Sequence, residues 1–271
     1  MNIANLKSKL SAGGTSVGCF LGLGSPAVAE LLAHIGFDWL MVEMEHNGVD
    51  WADVQHMLMA MNGANKSVLV RVPSSNPLEI QRAVDLGADG VMVPMIRTAD
   101  EARRSVQATR YPPNGTRGFG GLRASRYTLM NADYFARTVH DLFVVLIIET
   151  KEAIDNIEAI AAEPHVDALM IGAFDLYLSL GLDPLRQPQE RGEEAIARVV
   201  SAAKKHGRVV GCAAGSVAEF ENRCKQGVQM LATSDYSLLI KAAQSTVAAL
   251  AGDNMNLTES PRRVPAERHS G

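Results

Sequence analysis

Six charged side chains stand where short apolar runs end: Glu43, Glu45 and His46 after WLMV, Arg71 after SVLV, Glu149 after LFVVLII and Asp175 after ALMIGAF. A charge at the end of a buried run is costly to desolvate, so packing alone seldom places one there. Glu149 and Asp175 are 26 residues apart, about one strand–helix unit, which sets their carboxylates on neighbouring strand ends. Two carboxylates at that height suit a hard divalent cation that keeps positions open for water and substrate oxygens. They would equally serve as caps for the helices that follow, because carboxylates favour helix N-termini. Arg71 could neutralise a developing enolate or a carboxylate, or form a plain salt bridge across the rim. His46, in EMEHNG, is a candidate general base, with Glu43 or Glu45 to hold its tautomer.

The elements that must position these groups are legible as eight apolar runs: Val17–Leu21, Trp39–Glu43, Val68–Arg71, Gly90–Val93, Leu142–Glu149, Ala168–Ile171, Val209–Cys212 and Met230–Ala232. Each is continuous rather than alternating, as in parallel strands covered on both faces. Between and after them lie helical patterns at Pro26–Ile35, Trp51–Met61, Pro77–Leu86, Ala99–Thr109, Lys151–Ala162, Glu193–His206, Val217–Gln226 and Asp235–Leu250. Gly36, Gly63, Gly87 and Gly227 follow four of them, as left-handed caps. Strict alternation predicts an α/β fold, a closed (β/α)8 TIM barrel forming one domain over residues 1–251. An open doubly wound sheet is the alternative, but neither a nucleotide fingerprint nor a P-loop is present. MNIANLKSKLSAGG reads as an N-terminal amphipathic helix. The loop Tyr111–Tyr127, rich in Gly, Pro and Arg, is long enough to cover a barrel mouth, and residues 252–271 read as a mobile polar tail.

Composition narrows the partners. The 271 residues include 26 basic and 30 acidic side chains, for a net charge of −4, which argues against nucleic acid or an anionic membrane as the main partner. No apolar run approaches the roughly 18 residues of a membrane span. Three scattered cysteines without zinc spacing suit a reducing cytoplasm. The lysines lie in helices or ahead of strands; only Lys151 is near a rim, and it opens a helix, so metal chemistry is preferred to a Schiff base. No organic cofactor is expected.

FDWLMVEMEHNGVDW, VLVRVP, VPMIRTADEA, RYPPNGTRGFGG, IIETKEA and IGAFDLYLSLGL follow one another in that order. Together they resemble the metal-dependent class II pyruvate aldolases, the family of 4-hydroxy-2-oxoheptanedioate aldolase and 2-dehydro-3-deoxyglucarate aldolase, over roughly Gly18 to Leu250. The resemblance implies a barrel of the phosphoenolpyruvate/pyruvate type and reversible aldol cleavage of a 4-hydroxy-2-oxo acid to pyruvate, or a related 2-oxo acid, and an aldehyde. It implies a divalent ion (Mg2+, Mn2+ or Co2+) on Glu149 and Asp175, and a 2-oxo acid carboxylate on the turn Gly172, Ala173, Phe174 and Asp175. Arg71 would stabilise the enolate, and His46, oriented by Glu43 in the position of the family's aspartate, would exchange the proton. A homo-oligomer, a hexamer in the family, is also implied. Ile147 stands where the family often has glutamine, Ala173 where proline is usual, Tyr177 where a small residue is, and Phe20 where close relatives have tryptophan. Two other readings stay open: a thioester lyase resembling the citrate lyase β-subunit, whose CoA phosphates would need Arg123 and Arg126, and a non-catalytic barrel that binds a 2-oxo acid.

Overall fold

Residues 3–138, 142–186 and 188–251 are described in the structure, a computed structural model. The apolar runs form eight parallel strands: β1 (Ser16–Leu21), β2 (Trp39–Glu43), β3 (Ser67–Arg71), β4 (Gly90–Val93), β5 (Phe143–Ile148), β6 (Ala168–Ile171), β7 (Val209–Ala213) and β8 (Met230–Ser234). Each pairs with the next, and β8 pairs with β1, so the sheet closes into the expected barrel. The helices are α1 (Ile3–Ser11), α2 (Pro26–Ala33), α3 (Trp51–Ala60), α4 (Pro77–Asp85), α5 (Ala99–Thr109), α6 (Asn131–Thr138), α7 (Lys151–Asp155), α8 (Ile157–Ala162), α9 (Ala173–Ser179), α10 (Glu190–Lys205), α11 (Val217–Lys225) and α12 (Asp235–Ala251). The compact barrel unit ends at Asp235, and the described residues from Tyr236 onward belong to a second unit. In that unit α12 exposes Leu239, Ile240, Val247 and Leu250. The polar tail at 252–271 lies outside the described residues.

Continuous apolarity is explained by the two faces of each strand. Along β5, Val144, Leu146 and Ile148 pack outward into the helical layer, while Phe143, Val145 and Ile147 point inward. The inward set also includes Trp39, Met41, Leu69, Met92, Ala168, Met170, Met230 and Ala232, which fill the barrel. Trp39 is the largest of them, and its indole N–H donates to Ser16 Oγ at 3.3 Å. Gly18, on β1, leaves its ring room, since a β-carbon there would lie 2.2 Å from the indole.

At the N-terminal ends of the strands α1 closes the barrel, burying Ile3, Leu6 and Leu10 against the interior. Lys9 pairs with Asp38 at 2.8 Å and Lys7 with Asp167 at 3.0 Å. The loop from Tyr111 docks on the same side, not over the mouth as expected. Arg117 reaches Asp85 at 2.5 Å, the Gly118 N–H donates to Gln81 at 3.2 Å, and Arg123 donates to the Leu86 carbonyl. Asp85 and Leu86 end α4, where the chain turns up into β4. Arg117 lies over the rings of Tyr111 and Tyr134, at 4.7 and 5.6 Å, which anchors the excursion.

Some local expectations change. Lys151–Ala162 is two helices, broken at Asn156, whose side-chain amide donates to the Arg97 carbonyl at 3.0 Å. Gly63, Gly87 and Gly227 have φ of 91°, 94° and 99°, but Gly36 is outside the left-handed region. The helix α6 adds to the elements expected, and α9 is the helix that Asp175 was expected to open.

Candidate active site

The inward alternation that fills the barrel also aims the site. Two residues beyond Met41 on the same face comes Glu43; beyond Leu69, Arg71; beyond Ile147, Glu149; and beyond Met170, Gly172. Glu43 and Arg71 are register partners across β2 and β3. The charged residues therefore form the layer above the apolar plug, at the C-terminal mouth.

Arg71 is clamped between two carboxylates. Its Nε meets Glu43 Oε2 at 2.8 Å and Oε1 at 3.1 Å, and its Nη2 meets Glu45 Oε2 at 2.8 Å. Glu43 Oε1 also accepts the N–H groups of Glu45, at 2.7 Å, and His46, at 3.3 Å, so it organises the turn that follows β2. The half-exposed His46 ring has its Nε2 3.5 Å from Glu45 Oε2. Of the two candidates left open in the sequence, the carboxylate beside the imidazole is Glu45, while Glu43 is committed to Arg71 and the main chain. Glu45 Oε2 is buried, and although ion-paired it accepts no aligned hydrogen bond. Burial, opposed by Arg71 and reinforced by Glu43 and Asp175, pushes the Glu45 carboxyl up to about 7.

Glu149 is buried, with Oε1 accepting the Met95 N–H at 2.7 Å. It does not cap α7, whose N-cap is Thr150. Burial holds its carboxyl above the ordinary range; the Met95 N–H opposes this, Glu45 and Asp175 add to it, and Arg71 opposes it. Asp175 is exposed in the first turn of α9 and does not cap it; the N-cap is Gly172, without a side-chain bond. The first helical bond runs from the Leu176 N–H to the Gly172 carbonyl at 2.9 Å, so the N–H groups of Ala173, Phe174 and Asp175 precede it. Ile147 lies in the apolar plug. Tyr177 points away from the mouth, buried against Gly192 of α10, with its hydroxyl 3.2 Å from Glu193.

Four carboxylates, Glu43, Glu45, Glu149 and Asp175, thus share a neighbourhood with one guanidinium. That excess of negative charge, with the buried Glu45 oxygen lacking an aligned donor, fits a divalent cation. Among the described residues no three His, Cys, Asp or Glu side chains come close enough to enclose one. Glu149 and Asp175 would supply two ligands and leave the remaining positions to water and substrate, as in an open site.

Fold and site together define a (β/α)8 barrel with an acidic mouth built from strand ends and the turns that follow them. The chain belongs to the HpcH/HpaI aldolase/citrate lyase family, whose model matches residues 16–242. It is 34% identical over 240 residues to a 5-keto-4-deoxy-D-glucarate aldolase of Klebsiella pneumoniae subsp. pneumoniae, covering 88% of this chain and 93% of that one. It is 36% identical to a 2-dehydro-3,6-dideoxy-6-sulfogluconate aldolase of Pseudomonas putida, over 87% of this chain and 92% of that one. A crystal structure of a family member from Burkholderia cenocepacia J2315 superposes with a TM-score of 0.86 at 36% identity, covering 92% of this chain and 99% of that chain. No helix among the described residues is long and apolar enough to cross a membrane.

Proposed function

We propose that the chain is a class II aldolase, a lyase that reversibly cleaves a 4-hydroxy-2-oxo acid into pyruvate, or a related 2-oxo acid, and an aldehyde. The observation that carries this reading is the layer of strand-end charges at the mouth: Arg71 clamped between Glu43 and Glu45 at 2.8 Å, beside the buried Glu149 held by the Met95 N–H. A divalent cation (Mg2+, Mn2+ or Co2+) held by Glu149 and Asp175 would act as a Lewis acid toward the 2-oxo acid. The N–H groups of Ala173, Phe174 and Asp175 orient the substrate carboxylate. His46 takes the proton of the C4 hydroxyl, C4=O forms as the C3–C4 bond breaks to release the aldehyde, the pair of that bond becomes C2=C3, and the carbonyl π pair moves onto the C2 oxygen. Arg71, fixed by Glu43 and Glu45, stabilises that enolate oxygen before C3 is reprotonated.

The aldolases among its relatives support this reading. The thioester-lyase reading is disfavoured because Arg123 is committed to the Leu86 carbonyl, at the end of the barrel opposite Glu149. The exposed apolar side chains of α12 support a homo-oligomer, which light scattering on the eluted protein would measure. The deciding experiment follows pyruvate release from a 4-hydroxy-2-oxo acid after chelation and after restoring Mg2+, Mn2+ or Co2+. Turnover lost on chelation, restored by the ion and absent in Glu149→Gln and Asp175→Asn is the expected result. Full activity in exhaustively chelated protein rejects the cation-dependent mechanism, and no release under any condition favours the non-catalytic barrel. Screening aldehydes against pyruvate with each ion identifies the second substrate.

A further inference from the structure

Glu149 is held from two sides. Its Oε1 accepts the Met95 N–H at 2.7 Å, and its Oε2 lies against Gly172, where a β-carbon would come within 2.7 Å of it. Among the described residues Oε2 accepts no hydrogen bond. Met95 follows β4 and has φ 56°, in the left-handed region that long side chains avoid. Among the described residues, five other non-glycine residues share that region: Asn65 and His165, ahead of β3 and β6, and Arg126, Tyr127 and Thr128 in the excursion. Met95 alone among these follows the C-terminal end of a strand, and its side chain is 38% exposed, so core packing does not require it there. A main chain strained at a functional rim, with its N–H spent on a buried carboxylate, points to orientation of that carboxylate.

We propose that Met95 is a positioning residue: its left-handed main chain, rather than its side chain, aims the N–H that occupies Glu149 Oε1 and leaves Oε2 as the oxygen for the divalent cation. Gly172 is the opposite wall of the same clamp. This inference rests on the cation-dependent reading above.

The test is calorimetric titration of metal-stripped, full-length protein with MnCl2, without substrate, beside thermal unfolding of each variant. Met95→Gly should bind Mn2+ as the wild type does, because glycine enters the left-handed region without strain. Met95→Val should bind about tenfold more weakly, because a β-branched residue abandons that conformation and withdraws the N–H. Wild-type affinity in Met95→Val overturns the proposal, and so does a loss in Met95→Gly equal to that in Met95→Val, which would assign the effect to the side chain. Should Met95→Val fail to fold, Gly172→Ala presses on Glu149 from the other wall, at both Cβ and Oε2, each 2.7 Å from the new β-carbon; a comparable loss of Mn2+ affinity supports the clamp and unchanged affinity overturns it. A wild-type chain that takes up no Mn2+ overturns the cation-dependent reading and the clamp together, whereas uptake indifferent to these substitutions overturns the clamp alone.

Discussion

Arg71 and Glu45 are ion-paired at 2.8 Å through the same Glu45 oxygen, Oε2, that lies 3.5 Å from the His46 ring. One buried oxygen therefore faces both the guanidinium assigned to the enolate and the imidazole assigned to the proton. Their relative placement depends on Glu45 being charged. In cation-free protein burial pushes its carboxyl up to about 7; a cation bound beside it lowers that value, so the rate of the loaded enzyme should fall on an acid limb below 7. Glu45→Gln should lower kcat about tenfold and flatten this limb. Stability should respond with the opposite sign. A folded value raised above the free glutamate value of about 4.3 means that the native state holds the extra proton, so the carboxyl costs stability increasingly as pH rises toward 7. In cation-free protein, Glu45→Gln should consequently unfold at a higher temperature than wild type above pH ~7. A kcat profile unchanged by the substitution assigns the pH response elsewhere.

Arg71→Lys should cut kcat by about 10²–10³ while leaving Mn2+ affinity nearly intact, because a point charge cannot keep both Glu43 and Glu45 while meeting the enolate. A variant within about threefold of wild type would leave Arg71 as a rim salt bridge and nothing more.

His46 and Glu43 should fail differently. His46→Ala should abolish cleavage yet retain pyruvate binding, measured by calorimetry with Mn2+ present. Glu43→Gln loosens Arg71 and the turn that carries both Glu45 and His46, so it should raise KM and lower the unfolding temperature as well as kcat. Retained cleavage in His46→Ala removes it as the base.

Away from the mouth, Glu193 on α10 tests the electrostatics of the helical layer. Burial would raise its carboxyl, but hydrogen bonds from Arg223 and Gln226, the Arg223 charge and the Tyr177 hydroxyl together hold it below the ordinary range. A depressed folded value adds stability that is present above the unfolded value, about 4.3, and is lost as pH falls through the folded one. Glu193→Gln should therefore lower the unfolding temperature at pH ~7 and converge with wild type in acid. A constant difference across that range would make the contribution steric.

The strand ends were readable because continuous apolar runs leave a terminal charge conspicuous: β2, β4 and β6 have the boundaries read from sequence. The choice between Glu43 and Glu45 is not legible from strand alternation, because β2 stops at Glu43 and the chain bends beyond it. Element order alone could have placed the Tyr111–Tyr127 loop, since a segment between a helix and the next parallel strand returns to the strand's N-terminal end. The short α9 begins at the turn where a helix was expected, but Gly172 rather than Asp175 is its N-cap, without a side-chain bond. The clamp on Glu149 had no sequence signal, because neither the φ of Met95 nor its N–H partner depends on a recognisable residue type.

The barrel interior gives the most direct test of the fold. Gly18 faces Trp39 across the β1–β2 pair, and a β-carbon on Gly18 would sit 2.2 Å from the indole, which is fully buried. Backbone on one side and the apolar plug on the other leave that ring little freedom to move. Gly18→Ala should cost about 1–3 kcal/mol, read as a lower denaturant midpoint with an unchanged slope. Trp39→Phe alone should also destabilise, by opening space and leaving Ser16 without the indole donor. Combined, the two should cost less than their sum, because the smaller ring vacates the volume that the new methyl enters. Strict additivity would mean that the strain of Gly18→Ala is relieved by movement of β1, and the indole would then not be the element that requires glycine there.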